Sequence, residues 1–249
     1  MSFSNPKQTN PASKFIEFKG DKGIFQYYDK TLDEPANVEL LMPLIFIVLD
    51  ELSTITGFSK KFNSSFYSNE IHSLNDEILK VRSFKGGFSL TGKYADIKTE
   101  LAANSAKFTK SVYAMLILNK EKFEFVHFKF AGSVFGAWMD KGFSVQEFIV
   151  GVKSTKQETS GNNKYLVPIF EKYKMPKEKC LITDTAFQMD RKLQEYLKAY
   201  KAGQLEKMEI ETVASIQNDE TEQPVKSEFD VPKHQTQYDD VSDVRDLPF

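Results

Sequence analysis

Apolar and polar residues follow one another in short blocks along most of this chain, rather than at the 3.6-residue spacing of helices. Blocks at 15–19 and 23–28, on either side of the turn Gly20-Asp21-Lys22-Gly23, predict two strands. After Asp33-Glu34-Pro35, the near-continuous apolar run 38–49 reads as a strand covered on both faces, with a buried helix as the alternative. Segments 54–66, 78–84, 108–118 and 123–130 are rich in β-branched and aromatic residues and predict further strands. Segments 151–156 and 164–170 flank Thr159-Ser160-Gly161-Asn162-Asn163 and predict a hairpin. Helical spacing is confined to Tyr94, Ile97, Lys98 and Leu101, to Val134, Trp138 and Met139, and to a longer stretch at 186–202. There Met189, Leu193, Tyr196, Leu197 and Tyr200 form an apolar stripe, with Thr185 and Gln188 as a capping box and Gly203 as a stop. Many strands, few helices and one continuous body predict a mainly β fold, a closed or partly open barrel with short helices and one longer C-terminal helix.

Charge divides the chain where the hydrophobic pattern ends. The formal net charge is −2, yet residues 206–249 hold 12 acidic and 4 basic side chains, and residues 1–205 hold 23 acidic and 29 basic. A body of +6 is therefore joined to a tail of −8. The expected organisation is a disordered arm at 1–13, a body at 14–204, a flexible linker at 205–238 and an acidic tip at 239–249. Of the 22 Phe, 10 Tyr and 1 Trp, only Phe229, Tyr238 and Phe249 lie beyond residue 205. A single cysteine, Cys180, excludes an intrachain disulfide and a thiolate-rich zinc site, and His72, His127 and His234 have no metal-ligand spacing. Neither a metal nor another cofactor is expected. The polar start, without the apolar segment of a signal peptide, and the shortness of the run 40–49 predict an intracellular protein with no membrane contact.

Several stretches combine cations with rings, the composition that tracks a phosphate backbone while stacking its bases. The richest holds Lys60, Lys61, Phe62, Phe66 and Tyr67, and the next holds Lys80, Arg82, Phe84, Lys85, Phe88, Lys93 and Tyr94. Strand alternation puts Lys80, Arg82 and Phe84 on one face and Leu79, Val81 and Ser83 on the other. Lys107, Lys110 and Tyr113, then Phe125, His127 and Lys129, and finally Lys153 and Lys156 repeat the theme. A charged, ring-bearing face opposite an apolar one suits an OB-fold-like β-barrel with inserted loops that binds oligonucleotides.

The last residues, Asp239-Asp240-Val241-Ser242-Asp243-Val244-Arg245-Asp246-Leu247-Pro248-Phe249, run from carboxylates to an aromatic beside the terminal carboxylate. Asp246, Leu247, Pro248 and Phe249 resemble the acidic Asp-x-Pro-Phe tip of single-stranded DNA-binding proteins. Tyr67-Ser68-Asn69-Glu70, Val81-Arg82-Ser83-Phe84 and Thr109-Lys110-Ser111-Val112-Tyr113-Ala114 look like phrases of the phage-encoded members. The resemblance implies binding of single-stranded DNA in phage replication, recombination or repair, in the cytoplasm of a bacterial host. It also implies that Asp239, Asp240, Asp243, Asp246, Leu247, Pro248 and Phe249 recruit partner enzymes. The charge asymmetry adds that the tail competes with DNA for the body at low salt. A homo-oligomer is compatible with all of this.

Two alternatives compete. A strand-annealing or recombination-mediator protein would share the body charge and the tail. Gly87-Phe88-Ser89-Leu90-Thr91-Gly92-Lys93 matches the G-x-x-x-x-G-K pattern of P-loop ATPases, and 44–49 followed by Asp50 and Glu51 looks like a Walker B strand. Against the ATPase stand Tyr94 where a magnesium-binding hydroxyl belongs, the reversed order of the two motifs, and the missing βαβ alternation.

Overall fold

The computed structural model describes residues 10–176 and 178–218, with side chains through 203. The tip and most of the linker lie outside them, as do residues 1–9. The chain divides into two compact units, Met1–Glu206 and Lys207–Phe249.

Among the described residues eleven strands form one sheet: β1 (Lys14–Lys19), β2 (Ile24–Asp29), β3 (Ala36–Leu40), β4 (Leu44–Ser59), β5 (Ser64–Ser68), β6 (Leu79–Ser83), β7 (Ser89–Gly92), β8 (Ala106–Ile117), β9 (Phe123–Ala131), β10 (Phe148–Ser160) and β11 (Asn163–Lys174). The described residues also form three helices: α1 (Tyr94–Ala103), α2 (Ser133–Met139) and α3 (Leu181–Asn218). The main path runs β3-β2-β1-β9-β8-β4-β5-β6-β7, with β10 and β11 branching from β4. The sheet does not close. All pairings are antiparallel except β1 with β9, where Lys14 lies beside Val126.

The organising strand is β4. It pairs with β8 along its length, with β10 through Leu44–Phe46 on its other edge, and with β5 through Gly57–Ser59 further along. An irregularity between Val48 and Asp50 lets one strand serve both halves of the sheet. Near its end Gly57 takes φ +141°, and a Cβ there would come within 2.7 Å of the Ser105 carbonyl oxygen, so only glycine fits. The apolar run 38–49 is therefore not one strand, because residues 41–43 break it between β3 and β4. Segment 54–66 is likewise cut by the turn after Ser59.

Side-chain alternation gives the sheet an inner and an outer face. The inner face carries two apolar cores. Phe46, Val112, Phe128 and Phe130 pack with Trp138 of α2 in one, and Ile55, Phe66, Leu79 and Val81 pack with Ile97 and Leu101 of α1 in the other. On the outer face α3 lies over Leu52, Tyr113 and Phe125 through Leu193 and Leu197, and over Ile47, Met115 and Ile149 through Ile182, Ala186 and Met189. The predicted apolar stripe does this packing, but α3 starts at Leu181 and runs through Gly203 rather than spanning 186–202. Its start is fixed by the Cys180 backbone N–H, which donates to Thr183 Oγ1 at 3.0 Å. Burying Leu193 or Leu197 in this way stabilises the fold by ~1.5–3 kcal/mol each.

Candidate nucleic-acid interface

α3 covers only part of the outer face. Beyond it, β8, β4, β5, β6 and β7 present side chains in register. Pairing sets Lys107 beside Thr56 and Tyr67 beside Arg82, which in turn sits beside Ser89. Gly57 opposite Phe66 puts Thr56 against Tyr67 and completes the row Lys107, Thr56, Tyr67, Arg82, Ser89. In the next row Phe58 pairs with Ser65, and the Phe84 backbone N–H donates to the Ser65 carbonyl at 3.1 Å. Three rings thus lie side by side on one surface, on β4, on β5 and just past the end of β6: Phe58 is 51%, Tyr67 40% and Phe84 72% exposed. Tyr67 and Phe84 touch, with centroids 4.5 Å apart and planes 38° apart, and form a double ring platform.

The cations surround these rings. Lys60 and Lys61 sit in the turn between β4 and β5, and Lys85 in the turn between β6 and β7. The two turns meet, because the Lys85 backbone N–H donates to Ser64 Oγ at 2.9 Å. Lys107 flanks the rings on the β8 side, and Arg82 and Lys80 are half-buried on β6 with partners of their own. Leu79, Val81 and Ser83 face inward and are buried, so β6 separates a charged face from a packed one.

Other residues expected at the interface have different roles. Phe66 is only 2% exposed and belongs to the inner core, and Phe62 packs on it and on Phe88 with centroids 6.5 and 5.5 Å away. Both point inward because they cover the apolar face on which α1 rests. Tyr113 is fully buried beneath α3, and its hydroxyl donates to Glu70 Oε2 at 2.8 Å. Its ring stacks on His127 at 4.3 Å, and burial, with the Glu70 carboxylate second, pushes its pKa up. His127 donates from Nε2 to Ser111 Oγ at 2.8 Å, since the Ser111 hydroxyl is already given to Glu70. Its Nδ1 has no partner among the described residues, and burial brings its pKa down to about 3. Lys110 alternates with Lys107 and so points to the inner face, 3.4 Å from Ser53 Oγ. Lys153 and Lys156 lie on the β10–β11 hairpin in ion pairs with Glu171 and Glu158, away from the rings. Lys93 is the exposed residue before α1.

The phosphate-loop pattern takes another form. Gly86 and Gly87 make a turn, and Ser89–Gly92 is the strand β7, paired with β6 from Leu79 to Arg82. An extended strand does not converge successive amides on a phosphate. Asp50 and Glu51 border a pocket of about 290 Å³ with His72 and Lys110. Glu51 accepts the Trp138 indole N–H at 2.6 Å, while Asp50 is held by His72 at 3.0 Å and Gln194 at 3.3 Å. Among the described residues no group of three or more His, Cys, Asp or Glu is placed to hold a metal ion, and no helix is long and apolar enough to cross a membrane.

Sequence reasoning placed Phe58 inside the basic-aromatic stretch 57–67 without singling it out, and missed Glu70 as the partner of Tyr113, since its place under α3 depends on long-range packing. Compared with family models, curated proteins and solved structures, the chain matches none.

Proposed function

We propose that this is a non-enzymatic single-stranded DNA-binding protein, with an OB-like body that holds the strand on the uncovered end of its outer sheet face. The observation that carries the reading is the exposure of Phe58, Tyr67 and Phe84 on one surface bordered by Lys60, Lys61, Lys85 and Lys107. Singly scattered surface rings are ordinary, but three on one surface, two of them in contact, form a patch that unpaired bases can cover. Duplex bases have their faces already stacked and cannot use the platform. Sequence preference is weak, since every base offers a π-face.

The acidic C-terminal tip, outside the described residues, recruits replication and repair enzymes in this reading, in the cytoplasm of a phage-infected bacterium. Its charge supports that role, opposite in sign to the body's. Titration of labelled oligothymidine and of a matched duplex at two salt concentrations tests the proposal. Four to six phosphate contacts give a log–log salt slope of about −3 to −4 for the single strand. Salt-insensitive binding, or a preference for duplex, would refute it.

A further inference from the structure

We infer that the bound strand crosses the β-strands from β7 towards β8, passing Phe84 and Tyr67, then Phe58, then Lys107. This rests on the single-strand-binding reading above and adds a path to it.

Two routes lead away from the Tyr67–Phe84 platform. Along the strands, the surface ends in one direction at the turns after Ser59 and Ser83, and in the other at the loop 69–77 and at α3. That end is tied shut: Lys201 Nζ donates to Glu77 Oε1 at 2.8 Å and reaches His72 Nδ1 at 3.2 Å, and the Glu70 backbone N–H donates to the Tyr200 hydroxyl at 3.4 Å. Glu77 is paired with Lys201 and Glu70 with Ser111 and Tyr113, so the barrier at that end is packing rather than charge.

Across the strands, Ser89, Phe84, Tyr67, Phe58 and Lys107 are all exposed. Neighbouring strands lie ~4.8 Å apart, so Phe84 and Phe58, one on each side of β5, are ~10 Å apart along this direction. The platform and Phe58 are therefore separate seats for successive bases. Lys60, Lys61 and Lys85 line the edge of this row at the two turns, where phosphates run beside stacked bases. Past Phe58 the row reaches β8, where Gly57 pairs with Ala106 and the next outward side chain is Lys107. Ser89, exposed on edge strand β7, marks the opposite end.

Tethering fixes the register and tests the path. The full chain carrying Ser89→Cys and Cys180→Ser is joined by a disulfide to hexathymidylate with a terminal thiol, in which one 5-iodouracil is moved stepwise from the tether. After irradiation, cross-linked peptides are mapped by mass spectrometry. The expected order is the Tyr67 and Phe84 peptides from the nearest positions, the Phe58 peptide from the next and the Lys107 peptide from the farthest. Cross-links to the loop 69–77 or to α3, or the same peptides from every position, would overturn the path. Untethered oligothymidine is titrated against the unmodified chain in parallel. If it binds and the order is wrong, the path alone falls; if it does not bind, the function falls with it.

Discussion

Tyr67 and Tyr113 stand on the same outer face of one sheet, each in a stretch of sequence with lysines nearby, and they meet opposite fates. Tyr67 is 40% exposed and touches Phe84; Tyr113 is 0% exposed, stacked on His127 and bonded to Glu70. The difference is imposed by α3, which covers one end of the face and leaves the other open. A basic-aromatic strand is thus a core element or a binding surface according to what lies over it. Under the helix, rings and hydroxyls supply stability; beyond it, rings of the same kind are available to a ligand.

Substitutions should separate the two ends. Leu193→Ala, which removes the covering contact on Leu52 and Tyr113, is expected to cost ~2–5 kcal/mol in urea denaturation. Tyr113→Phe removes a bond to a carboxylate and should cost ~1.5–3 kcal/mol of stability with oligothymidine affinity unchanged in the folded protein. Phe84→Ala should do the converse, losing ~1–3 kcal/mol of binding, roughly tenfold to a hundredfold, with little change in melting temperature.

A smaller effect is expected from pH. Desolvation first, and Lys129 second, bring the folded pKa of His127 from 6.5 down to about 3. Between those values the unfolded chain binds a proton that the folded chain refuses. This contribution to stability is complete above pH 6.5 and lost as pH falls towards 3, by at most ~1.4 kcal/mol per pH unit. Denaturation at pH 7 and 5 should show the loss, and His127→Gln should remove that part of it. Least of all, Lys107→Ala should flatten the salt slope of single-strand binding by ~0.7, the share of one phosphate contact.

Much of the strand framework was legible because its signal is local. Alternation in 79–84 puts Leu79 and Val81 inward and Phe84 outward, and the pleat obeys it. The apolar stripe of α3 was legible for the same reason, whereas its true ends were not, since Thr183 caps from within and the helix continues past Gly203. What the sequence withheld was coverage. Nothing near Tyr113 announces that Leu193 and Leu197, some eighty residues later, close over it. Phe66 misled in a related way: it follows Lys60 and Lys61 in a basic-aromatic stretch, but a strand turns every second residue to the core. The opposite directions of Lys107 and Lys110 follow from the same rule. Phe58 was legible in principle, being one alternation beyond Thr56.

The central claim is that the open end of the face binds single strands and the covered end does not. Its most direct test is the affinity of oligothymidine for the unmodified chain, for Tyr67→Ala with Phe84→Ala, and for Tyr113→Phe, measured side by side at low salt. Loss of ~2 kcal/mol or more in the double variant, with the Tyr113→Phe chain unaffected, is the predicted result. Equal affinity in all three, or a loss confined to Tyr113→Phe, would contradict it.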